Sequence, residues 1–178
     1  MKKSFQLIFF LALGFLVFIT LSCEKAEKEE AEEAPAVVDL EAAKAAVNSV
    51  LDQMIESFQA ENAELYSKVV AHDPDMVTYG TDAAEKWVGY EGLLESAKKQ
   101  FESFEETKVI SRERAIKVHN SGEVGWFSEL WDVSGKAQGQ PYAIEGMRVT
   151  GVLEKRDGNW VIVQWHASIP VSGQAIKY

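Results

Sequence analysis

The sequence predicts an α+β domain: a cone-shaped roll with three N-terminal helices packed on a curved, mostly antiparallel sheet. Three observations predict it. Between Leu40 and Phe104 apolar residues recur at spacings of three and four, the period of a helix with one buried face. From Thr107 onward they recur at every second residue, the period of a half-buried strand. Turn sequences then cut that second region into strands, and helices first with a meander after is the order of an α+β fold.

The elements follow in order. Asp39 can cap a helix whose stripe is Val47, Val50, Leu51, Met54, Ile55 and Phe58. Asn62 caps a second, shorter helix carrying Leu65, Tyr66 and Val69. His72-Asp73-Pro74-Asp75 is turn chemistry, and Met76 to Tyr79 reads as a short strand ending in the polar corner Gly80-Thr81-Asp82. Trp87-Val88-Gly89 leads into a third helix with the stripe Tyr90, Leu93, Leu94, Ala97, Phe101 and Phe104. Four strands are then predicted: Thr107 to His119, Glu123 to Val133, Tyr142 to Glu154 and Trp160 to Ile169. Their links are a tight turn at Asn120-Ser121-Gly122, a looser one from Gly135 to Pro141, and Lys155-Arg156-Asp157-Gly158. Short links require antiparallel neighbours.

The N-terminal region is a different material. Lys2 and Lys3 precede an apolar run from Leu7 to Leu21, which ends in small residues before Cys23. That is the layout of a secretory signal over 1–22, and the run is short for a membrane span. Cys23 is the only cysteine, so it has no internal disulfide partner. Thr20-Leu21-Ser22-Cys23 resembles the bacterial lipobox, which implies acylation of Cys23 and attachment to a membrane of the cell envelope. Residues 23–36 hold six glutamates and no apolar face, the composition of a solvated acidic tether. Residues 37–178 remain as one domain. A formal charge of -10 is a poor surface for nucleic acid, whose binding depends on Lys and Arg against phosphate.

Alternation assigns the faces of the sheet. Met147, Val149, Gly151 and Leu153, with Val161, Val163, Trp165 and Ala167, form a nearly all-apolar set and are predicted to lie under the helices. Ile144, Gly146, Arg148, Thr150, Val152, Ile162, Gln164, His166 and Ser168 take the outer face. That face has much aliphatic surface for one in contact with water, so a homodimer through the sheet is expected.

Arg148-Val149-Thr150, Asp157-Gly158-Asn159-Trp160 and Val163-Gln164-Trp165-His166-Ala167-Ser168 resemble the closing strands of SnoaL-like domains of the nuclear transport factor 2-like superfamily. Tyr79-Gly80-Thr81-Asp82 with Trp87-Val88-Gly89 resembles the same pattern, and the likeness extends over residues 39–170. It implies a cone whose mouth is the ligand site, and it leaves activity open, because such folds host isomerases, dehydratases, hydrolases and proteins without chemistry. Association domains of calcium/calmodulin-dependent kinases, also similar, carry arginines at positions resembling Trp131 and Gly151. Neither is basic here, which argues against a pocket selective for small anions.

The ligand-binding residues expected from this frame are Tyr79, Trp87, Phe127, Glu129, Trp131, Val149 and Trp165, with Phe58, Phe101 and Val163 beside them. Glu129 alternates with Phe127 and Trp131, so it should face inward. A carboxylate among aromatics is poorly solvated and suits a general base. Tyr79 would then be the donor to a substrate oxygen. A bland reading stands beside this one: a Glu129 held in a salt bridge with Arg112 or Arg114. His72, His119 and His166 show no metal-ligand spacing, and neither a metal nor a cofactor is expected. Three functions are open: a lipid-anchored module binding a small apolar or aromatic molecule, an isomerase- or hydrolase-type enzyme using Glu129, and a dimerisation module.

Overall fold

The computed structural model describes residues 38–173 and 176. The predicted signal segment, the lipidation of Cys23 and the acidic tether lie outside the described residues. Among these residues the domain is α+β, with three helices and a six-stranded sheet.

Helix α1 (Leu40–Gln59) starts where the Asp39 carboxylate accepts the Ala42 amide at 2.9 Å, and it buries Val47, Val50, Leu51 and Met54. Helix α2 (Ala63–Val69) is capped by Asn62, which accepts the amides of Glu64 and Leu65, and it buries Tyr66 and Val69. Strands β1 (Val77–Tyr79) and β2 (Lys86–Val88) form a small hairpin, and α3 (Tyr90–Ser103) follows. The sequence reading has β2 only as an approach to α3. Three residues carry too little periodicity to mark a strand.

The long strands are β3 (Phe104–Val118), β4 (Val124–Ala137), β5 (Gln140–Arg156) and β6 (Asn159–Ser168). The sheet order is β2-β1-β6-β5-β4-β3. Pairing is antiparallel except where β1 lies parallel to β6, with Thr78 opposite Trp165 and Tyr79 opposite His166. The looser turn expected from Gly135 to Pro141 is in fact two residues long. Gln138 and Gly139, at φ 52° and 76°, make a tight reversal of the kind that matches strand twist.

Burial places Met147, Val149, Leu153, Trp165 and Ala167 in one core with the helices, while Arg148, Thr150 and His166 are exposed. Full burial of a side chain such as Leu153 contributes about 1.5–3 kcal/mol. Bulges on β5 and β6 break the expected alternation there, and β3 has two further register shifts against β4, between Glu105 and Lys108 and between Arg112 and Ala115. On β5, Trp131 pairs with Met147 but Val133 pairs with Ile144, so Glu145 and Gly146 together oppose Asp132. Gly146 takes φ 67°, a conformation that favours glycine, and its amide donates to the Asp132 carboxylate at 2.8 Å. Ile144 therefore turns to the inner face, not the outer one as expected. On β6, Leu153 pairs with Ile162 and Val152 with Gln164, so Val163 is the extra residue. Ile162 is buried at 1 % exposure, whereas Val161 and Val163 are only half-buried, which reverses the expected assignment of all three. The outer face loses both isoleucines from its expected aliphatic surface, and its exposed apolar residues include Tyr79, Ile110 and Trp126.

Candidate functional site

The helices, the β1–β2 hairpin and the inner face of the sheet border a cavity of about 190 Å³ that opens to the surface. Phe58 of α1, Tyr66 of α2 and the α3 residues Leu93, Ser96, Ala97 and Gln100 make one side of its lining. The hairpin adds Thr81, Glu85 and Trp87. The sheet supplies Phe104, Thr107 and Val109 of β3, Trp131 and Val133 of β4, Tyr142, Ile144 and Met147 of β5, and Trp165 and Ala167 of β6. Tyr142 and Ile144 reach it because the Glu145–Gly146 bulge reverses the facing of that end of β5.

Aromatic rings organise this space around Phe58. Its ring meets Trp131 at 5.6 Å and Tyr66 at 6.0 Å edge-on, and Trp165 at 6.0 Å tilted. Trp131 and Trp165 lie 5.7 Å apart. Such edge and tilted contacts are favoured by the ring quadrupole and lock the rotamers of the wall. Burial, then the neighbouring Tyr90, pushes the Tyr66 phenol well above its ordinary range, so it stays protonated.

The polar groups are few. The Glu85 carboxylate accepts, through Oε2 alone, the Thr81 amide, the Thr81 hydroxyl at 2.9 Å and the Asp82 amide at 3.2 Å. Thr107 donates its hydroxyl to Glu61 at 3.0 Å. Among the described residues, the indole nitrogens of Trp131 and Trp165 and the hydroxyl of Tyr142 are buried without a hydrogen-bond partner. These residues line the cavity while their polar atoms are covered, so what they turn to it is carbon.

Of the residues expected to bind ligand, the structure brings Trp87, Trp131 and Trp165 to the cavity, and Phe58 with them. Phe127 and Val149 are buried in the core and do not line it. Tyr79 is 44 % exposed and lies edge-on to His166 at 6.0 Å, because on β1 it is Thr78 that turns inward. Glu129 does face inward and is buried, but it is not part of the cavity wall. Its Oε2 accepts Arg114 Nε at 2.7 Å and the Ser111 hydroxyl, and Arg114 also reaches Asp52 and Asn48 of α1. The two expected partners in chemistry, Glu129 and Tyr79, therefore do not meet across the cavity. Sequence reasoning missed Glu85, Thr81, Tyr142 and Ile144. The glycine at 146, in the middle of a strand pattern, was the one signal that could have marked the bulge behind the last two.

His72 stacks on Tyr90 at 3.9 Å with its Nε2 3.0 Å from the Ser67 carbonyl oxygen, and His119 contacts Ser121 in its turn. Among the described residues no group of His, Cys, Asp and Glu is arranged to hold a metal.

Comparison with known proteins agrees with this architecture. The family model described as SnoaL-like domain matches residues 47–172. A nuclear transport factor 2-like superfamily protein from Salmonella enterica shares the fold at a TM-score of 0.68 and 17% identity, over 78% of this chain and 99% of that one. A Streptomyces avermitilis protein, provisionally described as a dehydratase of the same family, aligns at a TM-score of 0.66 and 13% identity, over 74% and 99% of the two chains. One from Novosphingobium aromaticivorans, provisionally described as an aromatic ring hydroxylase, aligns at 0.63 and 13% identity, over 75% and 94%. At such identities the likeness concerns the fold alone. Among curated proteins none matches the chain. With its family model spanning well over half of the length, and with helices, sheet and cavity in place, the chain belongs to the SnoaL-like domain family.

Proposed function

We propose that this chain is a lipid-anchored protein of the bacterial cell envelope whose domain binds one small apolar or aromatic molecule in a cone-shaped pocket. The cavity of about 190 Å³, walled mainly by aromatic and aliphatic side chains with a few polar groups, carries the reading. An apolar cavity of roughly 150 Å³ is enough to hold benzene, so the volume of this one suits a single ring with small substituents. The positively charged start, the apolar run and Cys23 support export and anchoring. Tyr79, Ile110 and Trp126 on the outer face support pairing with a second copy. The enzymatic alternative is less favoured, because Glu129, whose Oε2 is held by Arg114 and Ser111, does not line the cavity.

Calorimetric titration of the full chain with neutral and charged single-ring probes tests the reading. Saturable one-to-one binding is expected for at least one probe, and Ala97→Phe, which fills the space from α3, should abolish it while the helical circular dichroism persists. A panel in which no probe binds the wild-type chain would refute it.

A further inference from the structure

We propose that the molecule in this cavity is an organic cation, an ammonium of one-ring size, and that Glu85 is its counter-charge. The proposal rests on the reading of the cavity as a binding pocket and adds the charge of the ligand. Among the described residues no Lys, Arg or His lines the cavity, and Glu85 is the one carboxylate that does. An anion would meet that carboxylate with no basic group to offset it. A neutral hydrocarbon would exclude water from it and offer nothing in return.

A cation meets both halves of the wall. Phe58, Tyr66, Trp87, Trp131 and Trp165 are all cavity-lining, and the indole nitrogens of Trp131 and Trp165 are covered, so these two rings present carbon to the space. Aromatic faces attract ammonium groups through the ring quadrupole, most strongly where water is excluded, and aromatic cages recognise quaternary ammonium in this way. Glu85 is preorganised for its share. Three donors from its own hairpin converge on Oε2 and fix the carboxylate, and no hydrogen bond among the described residues ends on Oε1. Gly80 makes that pose accessible, since a Cβ there would strike the Glu85 carboxylate. The net charge of -10 adds a field that draws cations toward the molecule.

Two probes of equal shape separate charge from size: trimethylphenylammonium and tert-butylbenzene, each titrated into the full chain by calorimetry. The cation is expected to bind at least tenfold more tightly, and Glu85→Gln, which keeps an acceptor oxygen for Thr81, should weaken it at least tenfold. Equal or tighter binding of tert-butylbenzene to the wild-type chain would overturn the proposal and leave the pocket reading standing. So would an undiminished preference for the cation in Glu85→Gln. Binding of neither probe would remove the proposal, and failure of the whole panel would remove the pocket as well.

Discussion

Glu129→Gln distinguishes a buried structural ion pair from a catalytic carboxylate. The Glu129 side chain is fully buried, its partner Arg114 is 14% exposed, and the pair is closed at 2.7 Å. Glutamine keeps the volume and one acceptor oxygen, so no cavity opens. What disappears is the charge, leaving Arg114 with Asp52, whose side chain is 60% exposed, as its main counter-ion. Breaking a buried pair costs about 3–5 kcal/mol, and the retained Asp52 contact reduces this to about 2 kcal/mol. For a domain of this size that corresponds to a fall in Tm of about 6–10 °C. Differential scanning calorimetry of the two proteins at neutral pH measures it. Replacing both partners, Arg114→Met with Glu129→Leu, should recover most of the loss, because apolar pairs of similar volume commonly match buried ion pairs. A fall of less than about 2 °C in Glu129→Gln would refute the assignment. Loss of probe binding with Tm unchanged would also do so, and would return Glu129 to the ligand site.

Other consequences concern the β5 bulge. Arg112, then the Gly146 amide, hold the Asp132 carboxyl down from its ordinary 3.8 to about 2. A depressed native pKa gives stability that is complete above the ordinary value and lost as pH falls through the native one. Thermal melts should therefore show a decline from pH 3.8 to about 2 that is shallower in Asp132→Asn. Gly146→Ala meets no atom within 4 Å, so its cost is backbone strain alone, about 1–2 kcal/mol by urea denaturation. A variant as stable as the wild type would show that the bulge tolerates a side chain.

Much of the fold was legible because it is written in local chemistry. The stripe of α1, the caps Asp39 and Asn62, the Asp157-Gly158 reversal and the alternation of Phe127, Glu129 and Trp131 each depend on neighbours within a few residues. The resemblance of the closing strands to SnoaL-like domains was likewise present in the residues themselves. The site was less legible. Trp87, Trp131 and Trp165 reach the cavity as expected, yet Tyr79 turns outward and Glu129 pairs with an arginine.

By itself, then, the amino-acid sequence determined the three helices and the four long strands, that one sheet face is apolar, and that Glu129 points inward. Only the tertiary structure decided what those inward residues meet. An extra residue in one strand shifts the facing of every residue beyond it, as Ile144 and Ile162 show, and a period-two pattern contains no term for that slip. The cavity and the Arg114–Glu129 pair join side chains from distant parts of the chain, so they exist only once packing has brought those parts together.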